Sequence, residues 1–589
     1  MPAKALETVV SALERAAEID RGGLRFVARD ESERLFGWPE IWRRAEAVAG
    51  SLQGLSIRHG ERVAIVLPTG IEFFDAFFGI LLAGAVPVPL YPPVRLGRLS
   101  EYHAQTAALL TSSGARLVLT EPRLKSLLGE SIEKARPDLG CRAAAELPLA
   151  RFEPQKISES DLGLVQFSSG TTVEPKPVAL SHRALMAQTQ LLNSYWPERQ
   201  DFLATGVSWL PLYHDMGLIG CVLPAIALPS VQTLIGPELF VARPALWLRA
   251  ISRHRAFISP APNFAYGLSV AKIRDEELEG VDLSSWKVAL NGAEAVAPAT
   301  VRAFLDRFEP YGFRPEAMTP VYGLSEAALA VTFSALDRPV RASAFAREPL
   351  VEQGEAVPDD DGQELVSVGK PLPGFRVEIR DHDGAPVSAG WVGKVWVSGP
   401  SLMEGYLGRP EATSRALVDG WLDTGDLGFF HEGELYLTGR AKDVLILNGR
   451  NFGPEAVEHA LGGVAGVRTG CVVAASWLPE GGQGEVLGLF VETQREAAKA
   501  VIEALPAAAR EAVLAATGLP VDLVEVLAPG TLPRTSSGKL RRGETVRRFL
   551  AGELAPPKSV SALSLAGAFA RSQLAYARLK LRGPQRARG

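Results

Sequence analysis

Cysteine is scarce in this chain. Cys141, Cys221 and Cys471 are the three in 589 residues, too few, too scattered and odd in number for a disulfide framework or a cysteine zinc site. That usage fits a reducing compartment, and the expected location is cytoplasmic. Positive charge is not in excess either: 62 Lys and Arg stand against 67 Asp and Glu, for a net charge of -5, so the strongly basic balance of a nucleic-acid binder is missing. No long uninterrupted apolar run is present. The longest stretch, FFDAFFGILLAGAVPVPLYPP, is broken by Asp75 and by prolines, and reads as a buried helix feeding a buried strand rather than a transmembrane segment. The opening MPAKALETVVSALERAAEID carries acids and lacks the apolar core and small-residue cleavage site of a signal peptide. No internal repeat is visible, and the G-x-x-x-x-G-K nucleotide loop followed by Ser or Thr is absent.

What is present is alternation. RVAIVLP, IEFFDAFFGILLAG and AVPVPLYP read as strand, helix and strand, and EYHAQTAALLTSSG before ARLVLT repeats the theme; this is parallel α/β construction. From about Val366 the texture changes to short alternating runs, FRVEIR, GKVWVSG and ELYLTGR, between Gly and Asp turns, as in an antiparallel sheet. After DVLILNGRN comes an Ala-rich charged region with short strands GCVVAAS, GLFVET and DLVEVLA. The expected fold class is therefore α/β: a large N-terminal domain of parallel α/β subdomains plus a small antiparallel barrel-like subdomain, then a small mobile α+β C-terminal domain. Its expected limits are 1–439, a hinge at 440–443, 444–555, and a basic tail at 556–589. In that tail, Leu565, Phe569, Tyr576 and Leu579 fall on one helical face and Arg571, Arg578 and Arg582 on another. The expectation is a terminal helix docked on the small domain with a solvated basic side; the alternative is contact with an acidic carrier protein or anionic lipid.

The stretch QFSSGTTVEPKPVALSH, Gln166 to His182, follows the apolar LGLVQF and precedes a helical pattern with Ser181 at its N-cap position. Read locally it is either a polar surface turn or a loop that wraps phosphate oxygens with hydroxyls, backbone N–H groups and the Lys176 ammonium. On this reading it joins a strand to a helix, where α/β folds place phosphate sites. Further clusters follow in order: SWLPLYHDMGLIG (208–220), LNGAEAV (290–296), TPVYGLSEA (319–327), GWLDTGDLGFF (420–430), LTGRAKDVLILNGRN (437–451) and PRTSSGKLRR (533–542). Taken singly, His214 beside Asp215 is a core-edge polar pair, and the run from Gly323 to Ala327 falls one residue short of a G-x-S-x-G nucleophile elbow.

Together and in this order, from about Phe36 to Arg542, these segments resemble the AMP-forming adenylate superfamily of acyl-CoA synthetases, carrier-loading adenylation domains and luciferases. PLYPP, VSWLPLYHDMGLIG, PNFAYGL, NGAE and an extra segment at about 333–366 after YGLSEA are most similar to fatty acyl-AMP ligases. In that family the insertion limits the domain movement that CoA chemistry needs. The resemblance implies a ligase that uses ATP and Mg²⁺ to convert a fatty acid to acyl-adenylate and pyrophosphate, then passes the acyl group to the phosphopantetheine thiol of an acyl carrier protein. An acyl-CoA ligase, a silent acyl or nucleotide-binding module, and a serine hydrolase built on Ser325 are the competing readings.

The resemblance also implies roles. Lys539 would reach from the small domain to the carboxylate and α-phosphate, and Glu326 with Thr171 would hold Mg²⁺. Ser168, Ser169, Gly170, Thr171, Thr172 and Lys176 would grip phosphates. Gly292, Ala293 and Tyr322 would line the adenine slot, and Asn291, Glu294, Gly323, Leu324 and Ser325 belong to the same cofactor-binding set. Asp426 and Arg440 would take the ribose, Lys442 would mark the hinge, and His214 would border the acyl carboxylate. One departure stands out. Pro177 follows Lys176 where relatives have glycine, so a loop needing positive φ there is excluded.

Overall fold

The computed structural model describes residues 6–93, 96–168, 175–196, 205–447, 450–479, 485–535, 539–557 and 561–582. The Val/Ile runs form strands because both of their faces are covered. Arg62–Val66, Val86–Pro89, Leu117–Thr120 and Cys141–Ala143 make a four-stranded parallel sheet. The helix Ile71–Leu82 packs beside the helix Trp38–Gly54. Its Asp75 accepts two hydrogen bonds from the Arg44 guanidinium at 2.8 and 2.7 Å, which is how one acid is tolerated in so apolar a helix.

A nine-stranded sheet forms the second layer. Its interior strands Gly23–Val27, Val231–Ile235, Gly206–Ser208, Ile258–Pro262, Val288–Gly292 and Met318–Gly323 run parallel. Antiparallel strands close its edges, Glu33–Gly37 on one side and Ala330–Phe333 with Lys370–Pro371 on the other. An aromatic core of Trp247, Trp286, Tyr266, Phe304 and Phe308 lies under this sheet. The third unit is the expected antiparallel sheet, built from Arg376–Arg380, Gly393–Ser398, Trp421–His431, Glu434–Arg440 and the short Leu417–Val418. Within the segment after YGLSEA lies a two-stranded ribbon, Ala342–Phe345 with Gln363–Val366. Phe345 packs on Phe429 and Tyr436 of that sheet, and the turn Pro349–Gln353 lies against Arg450–Phe452. Beyond Arg440 the strands Val467–Trp477, Val486–Thr493 and Leu523–Leu527 carry the helix Lys499–Thr517 over their own apolar core.

Two expectations need correction. The Ser/Thr/Gly loop does not join a strand to a helix. PVALS is itself a strand, Pro177–Ser181, paired antiparallel with Leu162–Phe167, and all five of its residues are buried. Ser181 does cap the following helix, its hydroxyl accepting the Ala184 N–H at 3.2 Å. The terminal helix Ala562–Arg582 packs on the helix Pro122–Ala135 of the large unit and not on the small one, because its small residues Ala568, Ser572 and Ala575 are buried there.

Candidate active site

The parallel strands Val288–Gly292 and Met318–Gly323 end side by side, and the chain beyond each supplies the site. After Gly323 the backbone doubles back so closely that a Cβ on it would lie 1.8 Å from the Leu329 carbonyl oxygen, so only glycine fits. Leu324 N–H donates to that same oxygen at 2.8 Å. A single 3₁₀ turn, Ser325–Ala327, follows and is closed by Ala328 at φ 62°. This tight turn fixes Ser325 and Glu326.

Ser325 donates to Asp215 Oδ2 at 2.5 Å, and Asp215 Oδ1 lies 2.6 Å from His214 Nδ1 and accepts the Met216 N–H at 2.7 Å. Burial pushes the Asp215 carboxyl up, but the charge of His214 and the donors around it outweigh burial and hold it well below the usual carboxylate range. Here a carboxylate stands between serine and imidazole. An activated serine needs the imidazole as its own partner, so the hydrolase reading loses its geometry.

Opposite, in the hairpin of Trp421–His431 with Glu434–Arg440, Asp426 faces Arg440 across the ladder. Asp426 Oδ2 accepts the Tyr322 hydroxyl at 2.6 Å and Oδ1 meets Arg440 Nε at 3.0 Å. Burial, reinforced by Asp426, raises the Tyr322 hydroxyl well above the ordinary phenol range. Glu326 Oε1 accepts the Tyr406 hydroxyl at 2.9 Å, and the Lys176 ammonium sits 4.4 Å above the centre of that same ring. Lys176 is fixed at its backbone: its carbonyl accepts the Ser168 N–H at 3.0 Å and its N–H donates to Ser168 Oγ at 3.3 Å. Pro177 opens the following strand, a place where proline is tolerated, and its carbonyl accepts the Leu407 N–H at 2.8 Å. Pro177 is thus accommodated at the start of the described strand, paired with Phe167.

Lys539 comes from the small unit. Thr535 N–H donates to the Lys539 carbonyl at 2.8 Å, and Lys539 N–H donates to Thr535 Oγ1 at 3.0 Å. Burial and the neighbouring Arg440 lower the Lys539 ammonium, while Asp215, Glu294 and Asp426 pull it back up. Lys442 is lowered in the same way, by burial and then by Arg440. Burial raises the Glu294 carboxyl, whose Oε1 accepts the Phe264 N–H at 2.6 Å.

A cavity of about 380 Å³ joins these groups. Ser168, Lys176, His214, Ala293, Tyr322 and Gly323 line it, and so do Leu324, Ser325, Glu326, Arg440, Lys442 and Lys539. Asn291, Gly292, Glu294 and Asp426 do not line it. Asn291 is buried with its amide on Asn263 at 3.3 Å, and Asp426 acts through the Tyr322 and Arg440 it holds. Ser169, Gly170, Thr171 and Thr172 lie outside the described residues. Sequence reasoning passed over Asp215 as a polar pair and overlooked Tyr406, whose GYLG setting gives no signal. It also overlooked the apolar part of the lining, Leu192, Trp196, Met216, Leu329 and Phe333. Trp196 stacks on Phe333 with ring centres 5.8 Å apart, and Tyr195 meets Phe333 edge-on at 5.1 Å.

A polar junction fed by two units, with an apolar part to its lining, defines an adenylate-forming enzyme. Residues 14–407 match the AMP-binding enzyme family; the chain belongs to that family and is an AMP-forming ligase. It is similar to a 4-hydroxyphenylalkanoate adenylyltransferase of Mycobacterium marinum, with 36% identity covering 87% of this chain and 85% of the relative. It is also similar to a medium-chain fatty acid ligase of Moorena producens that acts on acyl carrier protein, with 33% identity over 91% and 93% of the two chains. A solved structure from work on fatty acyl-adenylate ligases of E. coli and L. pneumophila superposes with a TM-score of 0.86 at 33% identity, covering 92% of this chain and 98% of that one.

Proposed function

We propose that the protein activates a fatty acid with ATP, forming acyl-adenylate and pyrophosphate, and passes the acyl group to the phosphopantetheine thiol of an acyl carrier protein. The observation that carries this reading is the seating of Lys539, from the small unit, in a cavity whose lining includes Glu326, His214 and Tyr322 at a polar junction and Trp196 and Phe333 in its apolar part. The fatty carboxylate and the ATP α-phosphate are both anionic, so bringing them together is a problem of charge neutralisation and position. Lys539 spans the two reacting groups. Lys176, together with Thr171 and Thr172 of the same loop, grips phosphate oxygens. Tyr322 and Ala293 flank the base, and Arg440, held by Asp426, takes the ribose.

A single carboxylate beside phosphate oxygens is the donor set that suits Mg²⁺. Glu326, fixed by Tyr406, fits that requirement, and the ion would neutralise charge on the phosphates. His214, its Nδ1 on Asp215, turns its other ring nitrogen to the acyl carboxylate.

The insertion favours carrier protein over CoA as the acceptor, because its turn Pro349–Gln353 lies against the strand Arg450–Phe452 beyond the hinge and so ties the two units together. The test is a paired incubation with ATP, Mg²⁺ and dodecanoate, one half receiving CoA and the other a holo acyl carrier protein, with products identified by mass. Acyl-AMP that persists with CoA and transfers to the carrier is expected. Rapid dodecanoyl-CoA formation would overturn the acceptor assignment. Absence of adenylate from a panel that includes aryl-alkanoic acids would overturn the activity.

A further inference from the structure

The insertion is one bridge between the units; the terminal helix Ala562–Arg582 is another, reached from the far end of the small unit. Its seat is specific. On the helix Pro122–Ala135, the Lys125 carbonyl and the Gly129 N–H stand four residues apart, and both take a partner from the terminal helix. Gly129 N–H donates to Ser572 Oγ at 2.8 Å and Lys125 O accepts the Tyr576 hydroxyl at 3.1 Å. Helix approach is so close that a Cβ on Gly129 would lie 2.3 Å from the Ser572 carbonyl oxygen. Arg571 pairs with Glu130 at 3.0 Å and Arg578 with Glu133 at 3.3 Å, so two of the tail's basic residues are used for docking.

The neighbouring helix Leu99–Ser113 connects this seat to the small unit. Leu99 packs with Leu127 and Ala568. Just ahead of it, Arg98 Nη2 donates to the carbonyls of Gly530, Thr531 and Ala555 at 3.2, 2.9 and 3.1 Å, and Glu101 accepts Arg548 at 2.8 Å. The small unit is therefore held where the chain enters it, at 440–443, and by Arg98 and Glu101 of the large unit near Ala555, from which the chain runs on to the terminal helix. From Ala555 to Ala562 the chain spans seven residue steps, a reach of at most about 25 Å.

We propose that the docked terminal helix is a tether: it holds the small unit with Lys539 in the cavity and thereby slows transfer of the acyl group to a thiol, for which CoA is the probe. The inference rests on the adenylation reading above. In the transfer step the thiol sulfur bonds to the acyl carbonyl carbon, the bond from that carbon to the phosphate oxygen breaks with its electron pair leaving on AMP, and the thiol proton passes to solvent. On this proposal a thiol reaches the carbonyl once Lys539 leaves the cavity, and a displacement of the small unit larger than the tether's reach requires the helix to undock.

Two variants release the helix by different means. Gly129→Leu is favourable for the helix that carries it and drives a side chain into Ser572, and a chain ending at Ala555 lacks the tether altogether. In both, ATP/pyrophosphate exchange with dodecanoate is expected to stay within about twofold of wild type, while dodecanoyl-CoA formation rises tenfold or more. Amide hydrogen exchange at 528–532, where Arg98 binds, is expected to quicken. Unchanged CoA transfer, a gain in one variant alone, or exchange activity falling in step with transfer would each overturn the proposal. Absence of pyrophosphate exchange in the wild type would count against the adenylation reading. Hydrogen exchange at 528–532 unchanged in both variants would still overturn the tether in that case.

Discussion

Replacing Lys539 with methionine keeps the aliphatic length of the side chain and removes one positive charge from a buried position. The structure sets the expected size of the effect. Lys539 shares its surroundings with Arg440, Asp215, Glu294 and Asp426, in a cavity partly closed to solvent. At an effective dielectric of about 20, a unit charge about 4 Å from developing negative charge is worth about 4 kcal/mol. Losing a preorganised stabiliser of this kind typically costs about a hundredfold to a thousandfold in rate. Adenylation, measured as ATP/pyrophosphate exchange with dodecanoate, should therefore fall by two to three decades in kcat, with a much smaller change in the KM for ATP. The control is transfer: acyl-adenylate supplied to the variant should reach a thiol at close to the wild-type rate, because that step needs Lys539 out of the way. Exchange reduced less than threefold would refute the assignment of Lys539 to the adenylation step. Equal loss of both half-reactions would show that methionine had damaged the seat of the small unit instead.

Three other outcomes follow from the same geometry. Tyr322→Phe removes the hydroxyl that donates to Asp426; a hydrogen bond to a charged group is worth about 1.5–3 kcal/mol, so the urea midpoint should fall accordingly, and the KM for ATP should rise with the acyl preference unchanged. Phe333→Ala opens the apolar lining beside Trp196 and Tyr195; a panel of saturated acids should show the optimum moving to longer chains, with a stability cost of about 3–5 kcal/mol read by urea unfolding. His182 is held neutral, its pKa pushed down to about 4 by burial, and its Nδ1 accepts the Val9 N–H at 3.2 Å. The unfolded imidazole binds its proton near 6.5, so this contribution is intact above that pH and is lost as pH falls toward 4. Its full size is about 3 kcal/mol, and a His182→Gln variant should flatten the acid side of a urea-midpoint profile.

The parallel strands were legible because burial on both faces forces continuous Val, Ile and Leu runs, and RVAIV and ARLVLT show them. The antiparallel unit was legible by its alternation, as in FRVEIR against GKVWVS. PVALS was not, since a five-residue strand that opens on proline and ends on an N-capping serine carries the local signals of a loop entering a helix. The identities of Lys539, Glu326, His214 and Tyr322 could be read from motif order, yet their convergence on one cavity could not, because Tyr322 and Lys539 are more than two hundred residues apart in the chain. Motif order does not reveal the internal bonds of Asn291 and Glu294, the amide of Asn291 donating to Asn263 and the carboxylate of Glu294 accepting the Phe264 N–H. The docking of the terminal helix depends on Gly129, and a lone glycine inside a helical pattern does not say what will press against it.

The electrostatics of the junction explain why binding and catalysis draw on the same charges. Asp426 has both oxygens committed, to Tyr322 and Arg440, and Asp215 has both committed, to Ser325 and to His214 with Met216 N–H. These acids orient their partners. Lys442 and Lys539 are both lowered by burial and by Arg440, which means that their protonated forms are held at a cost in the protein by itself. A polyanion placed between them relieves that cost, and the relief grows as negative charge builds on the α-phosphate and the leaving pyrophosphate. Lys539 comes from the small unit, so the relief it offers depends on that unit being seated as observed. Seating of the small unit and charge stabilisation at the junction thus draw on the same residue, Lys539.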